Sequence, residues 1–166
     1  DEAQVYFAIS GADAVEIVPF SPELRGDFYR LNADWLERFF HLEEVDHQVL
    51  SDPEGQILAG GGQIFFARSA GLIFGTCALM PAGPGVFELT KMAVDAKAQG
   101  LGIGRKLIER AIAEFRAMGA KELFLETNTK LQPAIRLYES VGFEHQPAVR
   151  EGTHYSRANV YMIWRG

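Results

Sequence analysis

Apolar positions along this chain follow two periods, and each switch between them marks an element. Val15-Glu16-Ile17-Val18-Pro19-Phe20 reads as a first strand stopped near Pro19, and Ser21-Pro22-Glu23 reads as a helix start with proline at its first position. Helical periodicity then runs from about Pro22 to Phe40 and from Glu43 to Leu50, carrying Tyr29, Leu31, Trp35, Leu36, Phe39 and Phe40. Asp52-Pro53-Glu54-Gly55 predicts a turn. Strand-like runs follow at Gln63–Ala67 and Leu72–Leu79, joined through Ser69-Ala70-Gly71, and Pro81-Ala82-Gly83-Pro84-Gly85 leads into a strand over Phe87–Val94. Beyond it, Leu107, Ile108, Ala111, Ile112, Phe115 and Met118 form one apolar stripe, with Arg105, Lys106, Glu109, Arg110, Glu114 and Arg116 mostly elsewhere. Gly119 ends that helix, Glu122–Thr127 alternates as a strand, and Val160–Trp164 supplies a last one.

The order strand, amphipathic helix, strand over residues 87–127 is a βαβ unit. Its right-handed crossover predicts two parallel strands, with the earlier strands antiparallel. Together the elements predict an α/β fold with a mixed sheet and helices on both faces.

The connection between the first strand of that unit and its helix holds the most pointed chemistry. In Gln99-Gly100-Leu101-Gly102-Ile103-Gly104, glycines at alternate positions let the backbone approach a ligand, and the helix opening at about Gly104 aims unpaired N–H groups and its positive dipole end at the same spot. A phosphate fits such a place. Two familiar phosphate loops do not match the spelling. A dinucleotide fingerprint needs a third small residue, but that position is Arg105 counted from Gly100 and Leu107 counted from Gly102. Glu126 stands at a ribose-binding distance, yet the first half of the chain lacks the repeated βαβ pattern. A P-loop needs Ser or Thr after Gly-Lys, and this chain reads Gly104-Arg105-Lys106-Leu107.

Composition narrows the partners. The 166 residues suit one domain over 1–166, and 48% hydrophobic content suffices for a substantial core. A net charge of −6 argues against nucleic acid as a main partner. The lone Cys77 lies in an apolar run and reads as a buried structural thiol, which fits the cytoplasm. No apolar run is long enough to span a bilayer and no charged-then-apolar leader opens the chain, so no membrane partner is expected. His41 and His47 lack a third ligand at metal-site spacing, so no metal is expected.

Gln99-x-x-Gly102-x-Gly104 after a strand ending Met92-Ala93-Val94 resembles the acetyl-CoA-binding motif of the GCN5-related N-acetyltransferases. Asn128 after the next strand resembles the same family, as do Pro133-Ala134-Ile135-Arg136-Leu137-Tyr138 and Gly142-Phe143; the likeness covers about residues 86 to 145. It implies a mixed, mainly antiparallel sheet of about seven strands with helices on both faces, and an acetyl-CoA-dependent N-acetyltransferase. It also implies the coenzyme site. Main-chain donors from Gln99 through Gly100, Leu101, Gly102, Ile103 and Gly104 to Arg105 would hold the pyrophosphate, and Met92, Ala93 and Val94 would pair with the pantetheine arm where their strand splays from its neighbour. Asn128, Ala134 and Tyr138 would complete the site. Homodimers are common in the family.

Transfer to an amine needs a base, a polarised thioester carbonyl and an acid for the departing thiolate. Val86-Phe87-Glu88-Leu89 resembles the stretch carrying the catalytic glutamate of the histone-acetylating members, which makes Glu88 the expected base. The Met92 N–H is the expected oxyanion donor and Tyr138 the expected acid. The acceptor is framed in this family by the first two helices and the loop before the last strand, where Tyr29, Arg30, Trp35, His154 and Tyr155 are the expected contacts. The mixture of acidic groups with arginine and histidine there favours a small-molecule amine, such as an amino acid or similar zwitterion. A protein amino terminus or lysine is the alternative acceptor, and a non-catalytic acyl-CoA-binding module the alternative function.

Overall fold

The computed structural model describes residues 15–153 and 155–166, and shows one seven-stranded sheet in the order β1-β2-β3-β4-β5-β7-β6. Its strands are β1 (Glu16–Pro19), β2 (Gln63–Ser69), β3 (Leu72–Pro81), β4 (Val86–Val94), β5 (Glu122–Thr127), β6 (Phe143–His145) and β7 (Val160–Trp164). The helices are α1 (Arg25–Phe39), α2 (Glu44–Ser51), α3 (Ile103–Ala117) and α4 (Gln132–Ser140). All pairings are antiparallel except β4 with β5, the two strands that α3 connects.

Alternation along the strands feeds two cores. On one face Phe65, Cys77, Leu79 and Leu123 meet Ile103, Leu107, Ile108 and Ala111 of α3. On the other, Ile64, Phe66 and Ala78 meet Phe28 and Leu36 of α1 and Val49 and Leu50 of α2. Successive side chains of β2 therefore alternate between the cores, as a period of two requires. Cys77 is fully buried and burial pushes its thiol up to about 12, which makes it inert packing.

The expected boundaries move in two places. The helix expected from Pro22 begins as a 3-10 turn over Pro22–Leu24, where the Leu24 N–H bonds Ser21 O at 2.9 Å, and becomes α-helical at Arg25. The expected turn at Asp52–Gly55 instead opens a π-helical segment over Glu54–Leu58, closed by Ala59 N–H to Glu54 O at 2.8 Å. Between β2 and β3, Ala70 and Gly71 both adopt positive φ (51° and 75°), which gives a two-residue hairpin turn whose twist matches the strands. No helix among the described residues is long and apolar enough to cross a membrane.

Candidate active site

A cleft of about 530 Å³ opens where β4 and β5 separate. Their pairing ends at Glu88 opposite Phe124, yet β4 continues to Val94, and β5 to Thr127 with β7 on its other edge. The edge of β4 beyond Glu88 that would face β5 is left without a strand partner. Main-chain groups there need a ligand or water.

At one end of the gap lies the glycine turn. Gly100 (φ 78°) and Gly102 (φ 79°) are left-handed, and a Cβ on either would meet no atom within 4 Å, so open space adjoins the backbone. No hydrogen bond among the described residues uses the amides of Gly100 to Arg105; Lys106 N–H is the first to be engaged, on Gly102 O at 3.2 Å. A run of free donors thus coincides with the N-terminus of α3. The turn is fastened from behind, because the Gln99 side chain donates to Val94 O at 3.0 Å and Asp95 Oδ1 accepts from Lys97 N–H at 2.9 Å. Arg105 stands at the rim, its guanidinium donating to Ser140 Oγ at 2.8 Å. This arrangement fits a diphosphate.

Midway, β4 carries a bulge. Its register with β3 jumps from Ala93 opposite Thr76 to Thr90 opposite Ala78, leaving Lys91 and Met92 together against Cys77 and outside the ladder. Met92 lines the cleft. Glu88 lies three residues before the bulge, 9% exposed, and its carboxyl is pushed up to about 7. Burial is the largest cause and Glu126 adds to it, while Lys91, Arg150 and a hydrogen bond with Thr90 pull the other way. Tyr138 enters from α4, its ring edge-on to Phe143 at 6.1 Å. Burial, then the nearby Cys77, raises its phenol well above the ordinary value, and no described hydrogen bond uses its hydroxyl.

The remaining sequence-derived residues divide. Gln99, Gly100, Gly102, Ile103, Gly104, Arg105, Val94, Asn128 and Ala134 all line the cleft, as do Trp35 and Tyr155. Ala93 is buried beneath it and Leu101 turns aside. Val94 O is already engaged by Gln99, so Val94 offers an arm of ligand less than Met92 does. Asn128 is tied to the far wall, donating to Arg157 O at 2.7 Å and accepting from Lys130 N–H at 2.8 Å. Tyr29 and Arg30 do not line the cleft. The Tyr29 hydroxyl meets His47 Nδ1 at 3.1 Å, and exposed Arg30 pairs with Asp27 at 3.0 Å and Asp95 at 3.8 Å. His154 lies outside the described residues.

The structure adds residues that the sequence reading missed. Asp46, 0% exposed, receives both guanidinium nitrogens of Arg157 at 2.8 Å and the Lys91 ammonium at 3.0 Å. Glu43, which caps α2, also accepts from Arg157 at 2.6 Å and from the Ser156 hydroxyl at 2.8 Å. These bonds fasten the start of α2 to the segment before β7, which lines the cleft with Tyr155, Arg157 and Ala158. Burial works against the Asp46 carboxylate, but its bonds to Arg157 and the charge of Lys91 outweigh that and hold it at about 2. Lys91 is not among the site residues expected from the sequence. Its one local signal was a cation inside an otherwise half-apolar strand; Asp46 carried none. Phe39, Phe40 and Lys130 also line the cleft, with the Lys130 ammonium donating to Phe39 O at 2.6 Å and lying 4.9 Å from the Phe40 ring centre.

A splayed parallel pair, a bulge at its fork and free amides at a helix N-terminus together form a cleft that fits a diphosphate at one end and holds the buried carboxyl of Glu88 further along. Residues 23–143 match the model of the acetyltransferase (GNAT) family, and the chain belongs to that family. It is 33% identical over 114 residues to the uncharacterized N-acetyltransferase YjgM of Escherichia coli, a match spanning 63% of this chain and 60% of that protein. It is 34% identical over 102 residues to the N-alpha-acetyltransferase RimI of Mycobacterium tuberculosis, across 60% of this chain and 63% of that one. Among solved structures, an acetyltransferase of Bacillus subtilis in complex with CoA superposes with a TM-score of 0.68 at 18% identity, over 90% of this chain and 97% of that one. That likeness shows the fold.

Proposed function

We propose that this chain moves the acetyl group of acetyl-CoA to the primary amine of a small molecule, by direct attack of the amine on the thioester. The observation that carries the reading is a buried carboxyl balanced near neutrality, on the strand whose unpaired edge leads to the free amides of Gly100 to Arg105. CoA bound to the structural neighbour supports the choice of carrier.

The amides of the glycine turn would grip the diphosphate with Arg105 adding charge, each bond to a charged oxygen contributing about 1.5–3 kcal/mol. Met92 and Ala93, flanked by Asn128 and Ala134, would border the amide-bearing arm. Acetyl-CoA supplies an activated acyl carbon when bound. Glu88 takes the proton that an incoming ammonium must lose; with its carboxyl at about 7, an appreciable fraction is ionised at neutral pH and still basic enough to serve. The Met92 N–H, outside the β3 ladder, would donate to negative charge developing on the carbonyl oxygen. Tyr138 keeps its proton throughout the physiological range and delivers it to the leaving sulfur.

The fastened wall supports the choice of a small acceptor. A peptide needs a groove open across the mouth, whereas the bonds from Glu43 and Asp46 to Ser156 and Arg157 join the two segments that would have to stand apart. Trp35, Tyr155 and the buried Glu88 all line the cleft behind that wall. The lone buried Cys77 is compatible with a reducing compartment and supports the cytoplasm as the place of the reaction.

The test is acetyl-CoA-dependent thiol release across a panel of small amines, amino acids and peptides. Turnover of small amines or amino acids is expected. Activity confined to a protein amino terminus or lysine would replace the small acceptor with a polypeptide.

A further inference from the structure

Lys91 occupies a position that backbone physics assigns to another residue. Its φ is 53°, in the left-handed region where a side chain costs roughly 1–2 kcal/mol and glycine nothing. Its ammonium is also taken out of water, with the side chain 3% exposed. Buried ion pairs add little net stability once desolvation is counted, so neither cost is explained by the fold alone. Such costs gather at functional sites.

The ammonium has two fixed partners. It donates to Asp46 Oδ1 at 3.0 Å and to the Tyr155 hydroxyl at 3.2 Å, and it lies 4.6 Å from the Tyr155 ring centre. Asp46 comes from α2, whose residues do not line the cleft, and Tyr155 from the segment before β7, which does, while Lys91 itself sits in the bulge between Glu88 and Met92. One side chain therefore ties α2 and the Tyr155 segment to the strand that carries Glu88.

We propose that Lys91 is a positioning residue of the transfer, which fixes the phenol of Tyr155 at the acceptor end of the cleft and keeps a positive charge beside Glu88. This rests on the acetyl-transfer reading above. The charged and titratable groups facing Glu88 come from every neighbouring element: Lys91 from β4, Glu126 from β5, and Arg150 and Tyr155 from the segment between β6 and β7. Lys91 is first among those that favour the ionised carboxylate. Its loss makes Glu88 harder to ionise and leaves the Tyr155 ring without its anchor.

Lys91→Gly removes the side chain and its charge without straining the backbone, because glycine suits the left-handed position. The expected result is an acidic limb of the kcat/KM profile moved up by roughly half a pH unit or more. The acceptor KM should rise about 3- to 10-fold while the acetyl-CoA KM stays within about 2-fold. Lys91→Arg, which keeps the charge, should return the limb to the wild-type position. A folded Lys91→Gly with the wild-type limb and acceptor KM overturns the proposal. Should that variant fail to fold, Lys91→Gln decides, since it keeps much of the stem and loses the charge: an acidic limb moved up supports the proposal and an unmoved one overturns it. Absence of transfer by the wild-type protein to any amine would instead remove the reading of the reaction, and this inference with it.

Discussion

The two ends of the cleft are built from different material. The end proposed for the coenzyme is main chain: amides of Gly100 to Arg105, contiguous in sequence and held by one turn. The acceptor end is side chain. Asp46, Lys91, Tyr155 and Arg157 meet across sequence separations as large as 111 residues. A main-chain site asks the sequence only for small residues at the right spacing, so it tolerates drift elsewhere and binds the invariant part of the reaction. A side-chain site can change one residue at a time, which suits the partner that differs from one acetyltransferase to the next. The contrast predicts that substitutions at the two ends separate in what they alter.

Glu88, at the boundary, should show the largest effect. Glu88→Gln is expected to lower turnover by roughly 10²–10⁴ while acetyl-CoA affinity is unchanged, measured by steady-state rates beside calorimetric titration. Stability should move the opposite way. The folded carboxyl titrates at about 7 against an ordinary 4.5, so the folded protein holds a proton that the unfolded chain releases, and stability falls as the pH rises between those values. Glutamine removes that loss. Denaturation at pH 8 should find Glu88→Gln more stable by about 1–3 kcal/mol, with the gain gone below the unfolded carboxyl's titration. Full activity in Glu88→Gln would make the cleft a binding site rather than a reaction centre. Tyr138→Phe should also lower turnover without altering coenzyme affinity, and unchanged turnover would take Tyr138 out of the mechanism.

Arg157 tests the acceptor wall. Arg157→Met strands Asp46 and Glu43 without their guanidinium, a loss of about 3–5 kcal/mol at pH 7 by chemical denaturation. Because the Asp46 carboxylate is held at about 2 against an ordinary 3.8, its contribution is complete above the unfolded value and disappears as the pH falls through the folded one. The deficit of the variant should narrow over that window. At the other end, a Cβ at Gly102 would meet no atom within 4 Å, so Gly102→Val bears first on the backbone, which is strained for a side chain at φ 79°. It should weaken acetyl-CoA binding about 10-fold while leaving the acceptor KM within about 2-fold. A raised acceptor KM alone would erase the distinction between the ends.

How much of this was legible follows from the same division. The βαβ unit, its parallel strands and the glycine turn lie within residues 86–127 and depend on local periodicity and spacing, so sequence reading located them and placed Glu88 on the right strand. The Lys91–Asp46–Arg157 cluster had no such pattern. Asp46 sits in a helix whose exposed neighbours Glu44 and His47 look no different from it, and only packing against a segment more than a hundred residues later shows that it is buried. The bulge was hidden too, since an extra residue in a strand leaves no mark on composition.

Arg30 is the smallest effect and the sharpest check on the geometry, because the sequence reading placed it beside Trp35 at the acceptor. One α-helix cannot present both to the same cleft: residues five apart stand roughly 140° around its axis. Asn32, Trp35, Leu36 and Phe39 line the cleft at the spacing of one face, and Arg30 points away toward Asp27, Asp95 and the carbonyl of Ile73. Its ion pairs are exposed and contribute at most about 1 kcal/mol. Arg30→Ala should therefore leave kcat and the acceptor KM within about 2-fold of wild type. Any change should fall on acetyl-CoA, because Asp95, relieved of Arg30, also accepts from Lys97 N–H at the entry to the glycine turn. An acceptor KM raised several-fold, with acetyl-CoA unaffected, would move the acceptor to the opposite face of α1.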